Sequence, residues 1–137
     1  MRDGKHIEGK MAKILVVDDE GYIRLLYEEE FTDDGYDVIT AATGHGILST
    51  IDKEKPDLVI LDIKLADQNG LDLLQEIRNR YYNLPVILCS AYEVFRKDLK
   101  AIAADAYVVK SSDLTQLKKA VRRALESKKD EQGRGSE

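Results

Sequence analysis

Five short apolar runs, each four or five residues long and rich in β-branched side chains, alternate along the chain with longer amphipathic stretches. A continuously apolar run of this length is typical of a strand that is buried on both faces of a parallel sheet. The alternation therefore predicts parallel strands that are joined by helices. The predicted strands are Lys13–Val17, Asp37–Ala41, Asp57–Leu61, Pro85–Cys89 and Ala106–Val109.

The stretches between the runs carry apolar residues at spacings of three and four, which indicates amphipathic helices. Right-handed crossovers place such helices on both faces of a sheet. Because five strand–helix units are too few for an eight-stranded barrel, we predict an open, doubly wound α/β sheet. The predicted helices are 21–34, 44–53, 70–80, 94–103 (apolar at Phe95, Leu99 and Ile102) and a last helix that carries Leu114, Leu117, Val121 and Leu125 behind an N-cap at Ser112 or Asp113.

Length and composition limit the class of protein. The 137 residues fit one domain. No stretch approaches the roughly 20 apolar residues that span a bilayer, and the polar start of the chain shows no signal peptide, so we expect a cytoplasmic protein that does not contact a membrane. One cysteine, Cys89, excludes a disulfide framework and a thiolate zinc site, and two histidines argue against a histidine-rich metal site.

Neither end of the chain has the apolar pattern of the middle. We expect a leader or disordered extension over residues 1–11, a domain over 12–127 and a flexible tail over 128–137. The net charge of −5 argues against direct nucleic-acid binding. We interpret one basic stretch as a solvated helix face, with a phosphate-binding patch as the alternative. It consists of Lys118, Lys119, Arg122, Arg123, Lys128 and Lys129.

Charged and polar residues stand where four of the predicted strands end. Asp18–Glu20 follows the first strand, Asp62 the third, Ser90 the fourth and Lys110 the fifth. In an open parallel sheet the carboxyl ends of the strands share one edge, where ligands bind. We therefore expect these side chains to converge on one site.

This set of groups has a definite chemistry. Crowded carboxylates repel one another, and a divalent cation relieves that repulsion. Oxygen ligands without histidine or thiolate suit Mg²⁺. One aspartate could then attack a phosphoryl group, while a lysine and a hydroxyl stabilise the charge on its oxygens. The set predicts a phosphoryl-acceptor site.

Each of these residues also has a structural interpretation when it is taken alone. An acid of Asp18–Glu20, or Asp62, could cap a helix. Ser90 could belong to a turn, and Lys110 could be exposed at the end of its strand. The occurrence of all of them at four strand ends favours the functional interpretation.

Five motifs, in this order and at this spacing, resemble the receiver domain of bacterial two-component response regulators, above all single-domain receivers such as those of chemotaxis and the sporulation phosphorelay. The resemblance covers residues 12–127. It implies a flavodoxin-like (βα)5 fold, in which a doubly wound five-stranded parallel sheet has the strand order 2-1-3-4-5. The motifs are Ile14–Glu20, Asp57–Asp62, Gly70–Leu71, Pro85–Ala91 and Ala104–Lys110.

The resemblance also implies roles for the acids. Asp62 matches the aspartate that is phosphorylated. Asp19 matches the acid that binds Mg²⁺ directly, and Asp18 the acid that binds it mainly through water. The backbone carbonyl of Lys64 matches a further ligand of the metal, and Asp62 itself completes the set.

Three further residues match the catalytic and switching groups of the family. Ser90 matches the hydroxyl that moves to bond the phosphoryl group, and Lys110 matches the active-site lysine. Tyr107 matches the aromatic switch that turns inward when the hydroxyl moves.

The chain departs from the family pattern where Ala66, Ala103 and Ser111 replace the usual proline, glycine and proline. A more mobile loop is the expected result at Ala66. A cis peptide bond before a residue other than proline costs about 2.5–4 kcal/mol, so we predict a trans Lys110–Ser111 bond.

The resemblance implies a signalling switch rather than a turnover enzyme. A sensor histidine kinase or a histidine phosphotransfer protein would phosphorylate it, and a downstream protein or output domain would detect the change. The predicted fourth helix, fifth strand and fifth helix would form the output surface and a possible homodimer contact.

The alternatives are a degenerate receiver that binds partners without phosphorylation, and a phosphohydrolase, which needs an acid where Lys64 stands. A flavin-binding domain would need a phosphate loop where Asp18–Glu20 stands.

Overall fold

The apolar runs form the strands of a parallel sheet, and the amphipathic stretches form the helices that cover it. The computed structural model describes residues 6–7, 10–92, 97–98, 101 and 103–135. In chain order the elements are β1 (His6–Ile7), β2 (Lys10–Met11), β3 (Lys13–Val17), α1 (Gly21–Asp33), β4 (Asp37–Ala41), α2 (Ile47–Glu54), β5 (Leu58–Leu61), α3 (Gly70–Arg80), β6 (Val86–Ser90), β7 (Ala106–Val109) and α4 (Thr115–Gly135).

The main sheet has five parallel strands in the order β4-β3-β5-β6-β7. Since β1 and β2 form a separate antiparallel hairpin, this is the predicted order 2-1-3-4-5 of the five main strands. In this register Val17 of β3 lies beside Leu61 of β5, and Ser90 of β6 lies beside Val109 of β7. The residues that follow these strands therefore reach the same edge of the sheet.

The inner strands β3, β5 and β6 are mainly apolar because their alternate side chains enter two different cores. In β3, Leu15 and Val17 belong to the core beneath α2 and α3. Ile14 and Val16 belong to the core beneath α1 and α4. All four side chains are almost completely buried, and burying each contributes about 1.5–3 kcal/mol.

The described elements agree with most of the predicted spans. The predicted helix 94–103, with Phe95, Leu99 and Ile102, falls largely on residues outside the described part of the chain. The helix α4 continues to Gly135, through most of the predicted tail, while the hairpin β1–β2 lies within the predicted leader. The domain limits themselves stay predictions. None of the described helices has the length and apolar character that a bilayer crossing requires.

The connection from β7 to α4 takes the predicted form. Within the described residues no peptide bond is cis, so the Lys110–Ser111 bond is trans. The Asp113 carboxylate accepts the backbone N–H of Thr115, the first residue of α4, at 2.9 Å, although the residue directly before the helix is Leu114. The exposed side chains of Lys119 and Arg122 fit the solvated helix face that the basic stretch predicts.

One arginine joins two turns on the opposite edge of the sheet from the acids. From α3, Arg78 donates Nε to the carbonyl of Ala103 at 3.0 Å and Nη1 to the carbonyls of Tyr82 and Leu84 at 2.8 and 2.7 Å. Its Nη2 pairs with the Asp105 carboxylate at 3.1 Å. These bonds tie the end of α3 to the turns that lead into β6 and β7.

We expect Arg78→Ala to lower the free energy of unfolding by about 2–3 kcal/mol, because it leaves several acceptors without a charged donor. The matched control is Arg80→Ala in the same helix. Arg80 pairs with Asp52 at 2.7 Å, but both side chains are about half exposed, so this change should cost less than about 1 kcal/mol. Urea unfolding of both variants measures the difference, and equal losses would contradict the role of Arg78.

Candidate functional site

Three carboxylates meet at the carboxyl edge of the sheet. Asp18 follows β3 and Asp62 follows the neighbouring strand β5, so the register places them side by side. Asp18, Asp19 and Asp62 can each offer an oxygen within 4.8 Å of the others. Asp18 and Asp62 are buried, at 3% and 5% exposure, whereas Asp19 is exposed. The predicted convergence of the acids is therefore present.

Lys110 supplies the positive charge of the site. Its ammonium Nζ lies 2.8 Å from Asp18 Oδ2, 3.3 Å from Asp62 Oδ2 and 3.3 Å from Glu20 Oε1. The side chain is only 13% exposed, which excludes the alternative of a lysine exposed at the end of its strand. The Lys110 backbone N–H donates to the Ser90 carbonyl at 2.7 Å, which fixes where the side chain begins.

The surroundings shift the pKa of both partners. Burial, followed by the charge of Asp18, raises the pKa of Asp62 from 3.8 to about 6, although Lys110 opposes this shift. Burial alone would lower the pKa of the Lys110 ammonium, but the carboxylates of Asp18, Asp62 and Glu20 raise it above its ordinary value. The site therefore holds more negative charge than one lysine balances.

The donor atoms of this cluster fit a magnesium ion. Mg²⁺ is bound in proteins mainly by carboxylate and carbonyl oxygens, together with water. The Asp18, Asp19 and Asp62 oxygens are of that type, and they lie close enough together to share one cation. A bound cation would also offset the repulsion that raises the pKa of Asp62.

The loop after Asp62 is held by its own backbone. The Lys64 N–H donates to the Asp62 carboxylate, and Lys64 also pairs with Asn69 across the loop. The Gly70 N–H donates to the Ile63 carbonyl at 2.6 Å. A Cβ atom on Gly70 would lie 2.1 Å from the Asp62 carbonyl oxygen, so only glycine fits there. These bonds hold the loop although Ala66 replaces the usual proline.

The segment after β6 connects the two predicted switch residues. Ser90 is fully buried, and its Oγ accepts the backbone N–H of Tyr92 at 3.1 Å. The Tyr107 hydroxyl donates to the Tyr92 carbonyl. The Tyr92 ring also lies under the Lys64 ammonium, 4.7 Å from ring centre to Nζ. The backbone of Tyr92 thus joins Ser90 to Tyr107.

Sequence reasoning placed Glu20 among the converging acids but missed its pairing with Lys110, and it missed the contributions of Arg24 and Tyr92. Arg24 donates Nη1 to the Asp18 carbonyl at 2.8 Å and supports the acidic turn. Glu20 pairs with Lys110, and Tyr92 carries the link between Ser90 and Tyr107. For Glu20 the available signal was a third consecutive acid, and for Tyr92 its position two residues after Ser90.

A doubly wound sheet with buried acids, a lysine and a hydroxyl at its carboxyl edge defines an α/β domain whose pocket suits a cation. Its family follows from sequence comparison. The model of the response regulator receiver domain matches residues 14–122, and the chain belongs to this family.

Individual relatives agree with this assignment. Sporulation initiation phosphotransferase F of Bacillus subtilis is 35% identical over 115 residues, which cover 82% of this chain and 93% of that protein. With two other curated relatives the match covers 49% of their length, so this chain spans about half of each of them.

Solved structures of one further relative are also similar. The response regulator TrrA of Thermotoga maritima, in complex with Mg²⁺ and BeF, is 43% identical with a TM-score of 0.80 and covers 83% of this chain and 99% of its own. A second structure, of the histidine kinase ThkA in complex with TrrA, gives 43% identity and a TM-score of 0.79 over 84% of this chain and 99% of that one.

The raised pKa of Asp62 predicts a gain in stability when its charge is removed. Because the folded pKa of about 6 exceeds 3.8, ionisation of Asp62 lowers stability as the pH rises between these values. In metal-free protein Asp62→Asn should thus gain roughly 1–3 kcal/mol over the parent between pH 4 and pH 7. Urea unfolding in chelator at both pH values measures this gain, and a difference that does not change with pH would contradict it.

Proposed function

We propose that the protein is a response regulator receiver that accepts a phosphoryl group on Asp62 in a Mg²⁺-dependent reaction. The observation that carries this proposal is the buried Asp62 carboxylate, with Lys110 at 3.3 Å and two further acids within reach of a shared cation. Family membership and the TrrA complex with Mg²⁺ and BeF support it.

The proposed reaction transfers a phosphoryl group from the donor to Asp62. An Asp62 carboxylate oxygen attacks the phosphorus and forms an acyl phosphate, while the bond from phosphorus to the donor breaks and the donor keeps the electron pair. Lys110 neutralises charge on the phosphoryl oxygens, and the Ser90 hydroxyl donates a hydrogen bond to one of them. Hydrolysis of the acyl phosphate returns Asp62 to its free form. We therefore propose that the protein is a signalling switch and not an enzyme that turns over a substrate.

We further propose the metal ligands that the family resemblance implies. Asp19 would bind Mg²⁺ directly and Asp18 mainly through water, with Asp62 and the Lys64 carbonyl completing the protein ligands. When bound, the ion neutralises charge on the carboxylates and on the transferring group. Of the two ligands that precede α1, the exposed Asp19 is free to turn toward solvent, whereas Asp18 is already paired with Lys110.

The signal would leave the site through the segment after β6. If the Ser90 hydroxyl turns toward a phosphoryl group, its bond to the Tyr92 N–H breaks, and the Tyr92 carbonyl that holds Tyr107 is free to move. A phosphoryl group would thus shift a population between two conformations. We propose that β7 and α4 form part of the surface that a downstream protein, an output domain or a second copy detects.

The donor has to approach the acidic edge, and α1 offers a suitable surface. Its first turn follows directly after Asp18–Glu20, and the side chains of Tyr22 and Leu25 are 68% and 57% exposed. Because they stand three residues apart on one helix, the two side chains are neighbours and form an apolar patch of the kind that marks a contact surface. We propose that a histidine kinase or a histidine phosphotransfer protein docks here in the cytoplasm, as the complex of TrrA with a histidine kinase suggests.

Incubation with acetyl phosphate and Mg²⁺ tests the phosphoryl acceptor. The parent protein should gain the mass of one phosphoryl group, and Asp62→Asn should gain none, because the amide lacks the nucleophilic charge. Intact-mass measurement detects both results. A phosphorylated Asp62→Asn variant would contradict the assignment of Asp62, and a parent that gains no mass would favour a phosphorylation-independent interaction module.

Substitution of the exposed tyrosines tests the docking surface. Tyr22→Ala should slow phosphotransfer from a cognate kinase about tenfold, as expected for an apolar interface residue, and leave phosphorylation by acetyl phosphate unchanged. The control is Tyr82→Ala, because Tyr82 is 75% exposed but follows α3 at the other edge of the sheet. Equal kinase rates for the two variants, measured by radiolabel transfer, would contradict docking on α1.

A further inference from the structure

Glu20 occupies a capping position but does not cap. It is the N-cap residue of α1, where a carboxylate can accept the free N–H groups of the first turn. Its side chain makes no such bond. Instead it lies 3.3 Å from the Lys110 ammonium, 90 residues further along the chain.

Glu20 also stands apart from the acids that could bind a cation. The described acids whose oxygens can share one ion are Asp18, Asp19 and Asp62, and Glu20 is not among them. Of the three carboxylates that touch Lys110, two therefore belong to the cation cluster. When a cation binds to Asp18 and Asp62, the carboxylate of Glu20 can still pair with Lys110.

Lys110 needs such a partner in this chain. Its side chain is long and flexible, with an ammonium that has no fixed direction of bonding. The residue that follows is Ser111, in a trans peptide, rather than the proline usual in the family. Residues 111–113 are exposed, so the ion pairs decide where the ammonium lies.

We propose that Glu20 is a positioning residue, which holds the Lys110 ammonium toward the group that Asp62 accepts. This inference rests on the proposed function. The three N–H bonds of the ammonium can reach three carboxylates, and the one that reaches Asp62 is the one that a phosphoryl group would take over. Glu20 keeps a second N–H engaged and limits the rotation of the side chain.

A double-mutant cycle tests the coupling between Glu20 and Lys110. At saturating Mg²⁺ we expect Glu20→Gln to slow phosphorylation by acetyl phosphate about three- to tenfold, within the range for coupled neighbouring side chains. In a Lys110→Ala background the same change should not slow the reaction, because Glu20 then has no lysine to position. It should even speed it slightly, since an anion near an anionic donor is removed.

Glu28→Gln is the matched control for the loss of charge. Glu28 lies on the exposed side of α1, and its substitution should leave the rate unchanged in both backgrounds. Equal slowing by Glu20→Gln with and without Lys110 would overturn the inference but not the proposed function. A parent protein that gains no phosphoryl group would overturn both.

A second measurement needs neither metal nor phosphoryl donor. In protein with ¹⁵N-labelled lysine, the Lys110 ammonium signal is the one that disappears in Lys110→Ala. Glu20→Gln should speed its proton exchange with water several-fold, whereas Glu28→Gln should not change it. An unchanged exchange rate in Glu20→Gln would overturn the positioning role, even if the variant reacted more slowly.

Discussion

The carboxylates of Asp18 and Asp62 are buried side by side, and the rest of this edge of the sheet is arranged around their repulsion. An unpaired buried charge is very costly, so such a pair needs positive charge close by. Lys110 provides part of it through contacts with both acids. Burial, followed by the charge of Asp18, raises the pKa of Asp62 to about 6, and the remaining excess of negative charge makes the pocket attractive to a cation.

The fold explains how such a pocket can exist. The strands β3, β5 and β6 each bury apolar side chains in both cores, and β7 packs partly buried side chains against them. This burial stabilises the sheet against the cost of the charged edge. The acids and the lysine of the site follow these strands, and Ser90 is the last residue of β6. The loops carry Ala66 and Ser111 where the family usually has proline, while the strands keep the acids and the lysine together.

Much of the fold followed from the sequence because it depends on local pattern. Three of the predicted strands, Lys13–Val17, Asp37–Ala41 and Ala106–Val109, have the observed limits, and the helix predicted over 70–80 is observed as Gly70–Arg80. Continuous apolar runs and the spacing of leucines and isoleucines mark these elements without knowledge of distant contacts. The convergence of Asp18, Asp62 and Lys110 followed from the parallel topology alone.

Other features depend on contacts that no local pattern reveals. A residue directly before α1 is expected to cap it, yet Glu20 turns to a lysine 90 residues away. Arg78 looks like an ordinary surface residue in the sequence, but its guanidinium reaches the carbonyl of Ala103, 25 residues further along the chain. The α4 helix continues to Gly135 through a polar segment without the apolar spacing that marks a packed helix.

The central claim, that Asp62 receives the phosphoryl group, is tested most directly by chemical trapping. Borohydride reduces an acyl phosphate to an alcohol, so a phosphorylated aspartate becomes homoserine at its position in the chain. After reaction with acetyl phosphate and Mg²⁺, reduction and peptide sequencing by mass spectrometry should find homoserine at position 62. Homoserine at position 18 or 19, with unmodified aspartate at 62, would contradict the account.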